Sequence, residues 1–144
     1  MKIGFIGGGR VVSWQLDRIT KNPNLEFCGI YDVDSNVRKN YKDDGFKVHE
    51  NLSSLVLSDI DVISICTPSD THMEVFEEVT KICNEGQIIT IEKPTFLKVD
   101  DFKNAKEIIK SKNLNVFPVF QNRYNKAVDF AKNRKHEYVT VEHL

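Results

Sequence analysis

The chain has little of what marks a secreted, membrane-bound or nucleic-acid-binding protein. Its three cysteines, Cys28, Cys66 and Cys83, are odd in number. Cys28 and Cys66 fall inside apolar strand runs and Cys83 near a helix end, which reads as buried, reduced thiols in a reducing compartment rather than a disulfide framework. No cluster of Cys and His has metal-ligand spacing, so no metal is expected. No apolar run approaches the length of a membrane span, and the chain opens directly on a strand without a signal-peptide pattern, so a cytoplasmic location is expected. A formal net charge of −1 gives no electrostatic reason to expect nucleic acid or an anionic membrane as partner. Internal repeats and low-complexity segments are absent too. What is left, 144 residues with 40% apolar and 28% charged side chains, is an ordinary globular composition long enough to bury a core.

Against these absences stands one ordered stretch, Lys2 to Asp32. An apolar strand (Lys2–Ile6) runs into the turn Gly7-Gly8-Gly9-Arg10-Val11-Val12. An amphipathic helix from about Val11 to Thr20 follows, then a second apolar strand, Leu25–Tyr31, and Asp32. This is the layout of a mononucleotide-binding βαβ unit. Glycines stand where a backbone must approach a pyrophosphate, a helix N-terminus faces it, and an acid about twenty residues on is placed for ribose hydroxyls. Gly7 and Gly9 fill the first two fingerprint slots. Val12 fills the third, where Gly or Ala usually lets helix and strand pack closely, so the helix is expected to tilt or stand off. Val11 opens the helix beside the turn. Arg10 either reaches a phosphate or adenine, or is a solvated helix-end charge. Asp32 favours NAD over NADP, because a carboxylate accepts ribose hydroxyls and repels a 2′-phosphate. Asp34 reads better as a helix N-cap, and Arg38 is placed to pair with either acid.

The rest of the chain alternates strand and helix. A polar helix runs to about Lys42, a short strand is expected at Phe46–Val48, and a helical turn or two at Ser53–Ser58. Val62–Cys66 is a buried strand by its unbroken apolar run. Thr67-Pro68-Ser69-Asp70 turns into a helix reaching about Asn84, with Thr71 to Glu74 fitting a capping box and Val75, Phe76, Val79, Ile82 and Cys83 forming its apolar stripe. Gln87–Ile91 is the next strand, ending at Glu92-Lys93-Pro94. Asp100 or Asp101 is expected to cap a helix whose Phe102, Ala105, Ile108 and Ile109 share one face, Asn113 ends it, and Asn115–Phe120 is the last strand of the series. The alternation predicts a doubly wound α/β domain with a parallel sheet, whose sites lie beyond the strands' carboxyl ends. Gly7–Arg10, Asp32, Thr67–Asp70, Glu92–Pro94 and Gln121–Tyr124 all follow strand ends and so share one sheet edge. A further helix is expected over Asn125–Lys135 and a strand over Tyr138–Val141.

Lys93 precedes a proline and is thus held extended at a strand end. Partly desolvated and near Glu92, a lysine there is suited to proton transfer or to hydrogen-bonding a substrate hydroxyl; the alternative is an exposed lysine in a turn. His72 reads as a capping or packing histidine rather than an acid or base. Gln121, Asn122 and Arg123 either reach the nicotinamide or substrate, or tie two domains together.

Three ordered motifs, Thr67-Pro68 followed by His72, Glu92-Lys93-Pro94, and Asn122-Arg123-Tyr124, join the glycine turn to give a resemblance over roughly residues 1–125. The chain resembles the glucose–fructose oxidoreductase, inositol dehydrogenase and MocA-like dehydrogenases (Gfo/Idh/MocA), two-domain NAD(P) enzymes acting mostly on sugars and polyols. The resemblance implies a Rossmann NAD(P)-binding domain over 1–120, with 121–144 holding a connecting helix and only the start of a second α/β domain. It implies that Lys93 is the catalytic-site lysine, that Lys93–Pro94 is cis, and that Thr67, Pro68, His72, Glu92 and Gln121 lie near the cofactor with Arg123 and Tyr124 toward the substrate. It also implies homo-oligomeric full-length relatives. The family's second domain carries an active-site Asp and His; His136 and His143 lie in no such arrangement and are assigned no role. The expected activity is hydride transfer between NAD and a sugar, polyol or nucleotide-sugar hydroxyl, with this chain catalytically incomplete alone. The alternative is a stand-alone NAD-binding or regulatory module.

Overall fold

The computed structural model describes residues 1–126 and 128. In chain order it has β1 (Lys2–Ile6), α1 (Arg10–Ile19), β2 (Glu26–Tyr31), α2 (Ser35–Asp43), α3 (Leu52–Val56), β3 (Val62–Ile65), α4 (His72–Ile82), β4 (Ile88–Ile91), α5 (Val99–Lys112) and β5 (Asn115–Pro118), then a 3-10 turn at Gln121–Tyr124. The five strands form one sheet in the order β2-β1-β3-β4-β5, every pair parallel. The chain leaves β1 toward β2 and then crosses back to β3. Strand order therefore reverses between β1 and β3, and a crevice opens beyond their carboxyl ends. This is the doubly wound Rossmann arrangement that the alternation predicts.

Alternation along the strands divides the core between the two faces. Ile3 and Phe5 of β1 pack with Ile30, Val62 and the α1 side chains Val12, Leu16 and Ile19. Ile6, Ile63, Ile65, Ile89 and Ile91 pack with Leu55, Val56, Phe76, Val79 and Ala105 from α3, α4 and α5. Fully burying each such large apolar side chain contributes about 1.5–3 kcal/mol before chain entropy is counted. Val12 is fully buried in the first cluster, so α1 seats on the sheet through a branched side chain instead of a bare backbone. Among the described residues no helix is long and apolar enough to cross a membrane.

Local chemistry corrects several expectations. Phe46–Val48 makes no strand, only the bridge Ile30–Val48, because the segment exchanges just two backbone bonds with Ile30 (Ile30 N–H to Lys47 O, 3.1 Å; His49 N–H to Ile30 O, 2.8 Å). Thr71 forms no capping box: its hydroxyl donates to Pro68 O at 2.8 Å, inside the preceding turn. Helix α5 starts earlier than expected, after Lys98 and without a side-chain cap. Asp100 and Asp101 sit in its first turn, where carboxylates meet the positive end of the helix dipole. Phe102 is half exposed, its ring edge-on to Phe96 at 5.2 Å, and the three cysteines are half-buried rather than buried. Two local expectations hold. Asp34 caps α2, accepting from Asn36 N–H at 2.8 Å, and Asn113 closes α5 in the left-handed conformation. Apart from 125, 126 and 128, the helix expected over 125–135 lies outside the described residues, as do the strand over 138–141, His136 and His143.

Candidate functional site

The three glycines of the first turn do three different things. Gly7 has φ +94°, and a Cβ there would lie 2.8 Å from Cys66 C and O and Thr67 N, so β1 approaches the end of β3 only because Gly7 has no side chain. Its N–H donates to Tyr31 O at 2.8 Å, tying the turn to β2. Gly8 fits under α2: a Cβ would lie 2.5 Å from Val37 and 2.9 Å from Tyr41, whose hydroxyl donates to Gly8 O at 3.2 Å. Gly9 needs its bareness for neither reason. Its φ of −71° suits any residue, and a Cβ would meet nothing within 4 Å. Helix α1 starts there with no side-chain cap; the Val12 N–H turns back to Gly9 O at 3.0 Å, and the Arg10 and Val11 amides ahead of it are the ones placed to meet another acceptor.

Asp32 closes this corner. Its Oδ2 accepts from Gly8 N–H at 2.7 Å and its Oδ1 from Asp34 N–H at 2.8 Å, so both oxygens are oriented while each keeps an accepting lone pair. Arg38 pairs with neither acid. Its Nη1 donates to the carbonyls of Asp32 (2.7 Å) and Val33 (3.1 Å), bracing the turn from behind.

A cleft of about 790 Å³ opens at this sheet edge, lined by Gly7, Gly8, Gly9, Asp32, Val33, Thr67, Pro68 and Val75 among others. Its walls are mainly apolar, with polar groups at the glycine turn, at the strand ends and along α4, where Thr71, Glu74 and Glu78 line it. Thr67 Oγ1 is buried with no partner among the described residues. Cys66, also on the wall, has its thiol pushed up to about 12, chiefly by burial, with the Ser64 hydroxyl opposing and the Glu92 charge adding.

Of the residues singled out from the sequence, Gly7, Gly9, Asp32, Thr67 and Pro68 come together on this cleft; Arg10, Val11, His72, Glu92, Lys93, Gln121, Arg123 and Tyr124 do not line it. His72 is fully buried between two strand-end turns. Its Nε2 faces Thr67 O at 2.9 Å, and its Nδ1 faces Pro94 O at 3.0 Å and Thr95 O at 3.1 Å. Glu92 is buried, with Oε1 accepting from Gln15 Nε2 at 2.7 Å and Oε2 from Lys93 N–H at 3.1 Å. The Lys93–Pro94 bond is cis. Lys93 is exposed rather than part-desolvated. Among the described residues the ion pairs are Lys2–Asp59, Lys21–Asp17 and Lys103–Asp100, none of them at Lys93. Gln121, Arg123 and Tyr124 lie exposed in the 3-10 turn past β5, the Arg123 guanidinium 5.1 Å from the centre of the Phe120 ring.

Sequence reasoning missed Gln15, Gly8 and Tyr41. No local pattern marks Gln15, a helix residue whose partner is 77 positions away. Gly8 was readable only as part of a run, because its steric reason lies in α2.

Residues 1–120 match the Gfo/Idh/MocA family model, described as an oxidoreductase family with an NAD-binding Rossmann fold. The chain is 22% identical over 149 residues to inositol 2-dehydrogenase of Rhizobium meliloti (strain 1021), covering 98% of this chain and 44% of that protein. It is 23% identical over 125 residues to the uncharacterized oxidoreductase YrbE of Bacillus subtilis (strain 168), covering 85% and 36%. It thus spans less than half the length of these curated relatives. A solved structure of scyllo-inositol dehydrogenase from Lactobacillus casei, with bound NAD(H) and scyllo-inositol, superposes with a TM-score of 0.77 at 26% identity, covering 92% of this chain and 39% of that one. Matched from residue 1 to residue 120, the chain belongs to the Gfo/Idh/MocA oxidoreductase family and carries its NAD-binding Rossmann domain.

Proposed function

We propose that residues 1–120 are the nucleotide-binding half of an NAD-dependent dehydrogenase for a sugar, polyol or nucleotide-sugar hydroxyl. On this reading 121–144 connect it to a second, substrate-binding domain of which the chain holds only the start. The observation that carries the reading is Asp32, pinned across the glycine turn by Gly8 and Asp34 with a free lone pair on each carboxylate oxygen. The residues fit the cofactor: Gly9 leaves open space in front of the uncapped α1 N-terminus, and Thr67 Oγ1, on the same cleft, has no partner among the described residues. Gly9 and the first α1 amides, with Arg10 and Val11, would hold the pyrophosphate, Asp32 the adenosine ribose, and Thr67 and Pro68 the opposite wall. Asp32 would repel a 2′-phosphate, hence NAD over NADP.

The cofactor, when bound, supplies the hydride acceptor. The chain's own part is to place a base and exclude misalignment. Lys93 Nζ, at the end of β4, would hydrogen-bond the substrate hydroxyl and take up its proton, with Glu92 and His72 fixing the backbone on either side. Gln121, Arg123 and Tyr124, past the next strand, would face the nicotinamide side or the substrate. The reading extends to a cytoplasmic protein, to a small-molecule partner, and to homo-oligomers among relatives with the full second domain.

A second reading, an NAD-binding or regulatory module without turnover, draws on Lys93, which is exposed and lies outside the cleft lining. Calorimetry with NAD and NADP tests the shared element. NAD should bind at least about tenfold more tightly, since one like-charge contact is worth about 1.4 kcal/mol or more. No heat at millimolar NAD overturns both readings. Sugar-dependent NADH formation, abolished by Lys93→Ala with NAD affinity retained, decides for the enzyme.

A further inference from the structure

Glu92 is 8% exposed at the end of β4. A carboxylate so placed is costly unless each oxygen has a donor. One donor is the N–H of Lys93 itself. The other is Gln15, from the helix that begins at the glycine turn, across 77 residues of sequence. The choice of a neutral donor matters. A cation there would also satisfy Glu92. With no donor, the ammonium of Lys93, the next residue in the chain, could fold back onto it. The amide of Gln15 occupies Oε1 without adding charge, and among the described residues the Lys93 side chain enters no ion pair. On the other side of Lys93, the carbonyls of Pro94 and Thr95 are held by His72. Lys93 therefore projects from a peptide fixed at both ends, one end of it fastened to α1.

We infer that Gln15 is a positioning residue for Lys93: it fastens the Glu92–Lys93 peptide to the helix whose N-terminus forms the dinucleotide turn, and it keeps the Lys93 ammonium free for substrate. This rests on the proposed roles of the glycine turn and Lys93. It assigns to one hydrogen bond the task of keeping the cofactor corner and the lysine corner in a common frame. A hydrophobic residue at position 15 would leave a buried carboxylate oxygen bare, which draws Lys93 inward.

The experiment measures acylation of Lys93 by an acetyl ester in the 144-residue chain, quantified by peptide mass spectrometry and normalised to exposed Lys39, with NAD affinity measured in parallel. Gln15→Leu should slow Lys93 acylation at least about threefold, a coupling of the size neighbouring residues show, while Lys39 and NAD affinity stay within a factor of two or so. Gln15→Glu alone, two carboxylates in contact, should behave likewise. The swap Gln15→Glu with Glu92→Gln rebuilds the bond with donor and acceptor exchanged and should restore the wild-type rate. A purely structural role would change both lysines together and would not be rescued by the swap. Unchanged Lys93 acylation in Gln15→Leu, or failure of the folded swap variant to restore it, overturns the inference. Absence of NAD binding by the wild type, with the Lys93 effect intact, overturns the dinucleotide reading alone.

Discussion

Two corners of one sheet edge are built on opposite principles. The corner at Gly7–Asp32 is made of backbone: Gly7 N–H to Tyr31 O, and Gly8 and Asp34 N–H to the Asp32 carboxylate. The corner at Glu92–Thr95 is made of polar side chains reaching in from two helices, half-buried Gln15 from α1 and buried His72 from α4. The first corner tolerates no added atoms at its tight glycines, because at Gly7 the peptide groups themselves must touch and at Gly8 the side chains of α2 fill the space. The second tolerates lost partners poorly, because each oxygen of the buried Glu92 carboxylate has one donor and the His72 ring is fully buried between the two turns. Substitutions should therefore injure the corners differently, the first by overcrowding and the second by abandonment.

The largest effect belongs to the first corner. Gly7→Ala adds left-handed strain, about 1–2 kcal/mol, to a 2.8 Å clash with the backbone of Cys66 and Thr67 that nothing flexible can relieve. Overpacking of this kind adds about 1–3 kcal/mol, so urea unfolding should show a loss of about 2–5 kcal/mol with an unchanged m-value. A loss below about 1 kcal/mol would mean that β1 and β3 need not be so close. Next comes the second corner. His72→Ala removes a fully buried ring that faces the carbonyls of Thr67, Pro94 and Thr95 and takes away the single N–H with which a neutral imidazole serves one of the two turns. The expected loss is about 2–3 kcal/mol, again by urea, and His72→Gln should recover only part of it, having one amide to serve two separated turns. If Gln matches His, the clamp is not two-sided.

The same division explains what the sequence could tell. The first corner was legible because its requirements fall on residue types at short spacing: a bare backbone at Gly7, an acid at the next strand end, an Asp34 that caps its own helix. The parallel sheet was legible for the same reason, since alternation and strand length are local. The second corner showed only its positions. Lys93, Pro94 and His72 stood out as a pattern, but the partners of Glu92 and His72 are set by how α1 and α4 lie on the sheet, and no spacing encodes that. Local readings also failed in two places: Thr71 bonds back to Pro68 instead of closing a capping box, and Phe102 stays half exposed, edge-on to the core ring of Phe96 instead of buried itself.

Within the first corner, Gly9 is the exception that sharpens the comparison. Neither its backbone conformation nor any neighbour requires a glycine, so Gly9→Ala should leave stability within about 0.5 kcal/mol of wild type. If the space in front of α1 is where a pyrophosphate lies, the same methyl should cost about tenfold in NAD affinity, or 1.4 kcal/mol. Gly7→Ala and Gly9→Ala would then be mirror images, one losing fold and the other losing ligand. An alanine at position 9 that binds NAD as well as glycine would put the pyrophosphate elsewhere.

The smallest effect concerns acid, and it enters behind the first corner. His49 flanks β2, the strand ending at Asp32, donating its N–H to Ile30 O at 2.8 Å, with its ring against bare Gly29, where a Cβ would lie 2.6 Å away. Its Nε2 is buried without a partner among the described residues. Burial chiefly, and the Lys47 charge after it, lower its titration below the ordinary 6.5. The folded chain thus resists a proton that the unfolded chain accepts near pH 6.5. Stability is full above that pH and falls as acid is added, until the folded ring is protonated too. One group limits the slope to about 1.4 kcal/mol per pH unit, and between about pH 5 and 6.5 most carboxylates of the unfolded chain stay ionised. Urea midpoints over that window should fall with pH in the wild type and flatten in His49→Leu, which removes the unpartnered nitrogen along with the titration. Amide exchange should locate the loss: the Ile30 N–H, bonded to Lys47 O, should open with acid before amides of β4. Equal slopes in the two chains, or opening that begins at β4, would move the acid sensitivity away from the backbone-built corner.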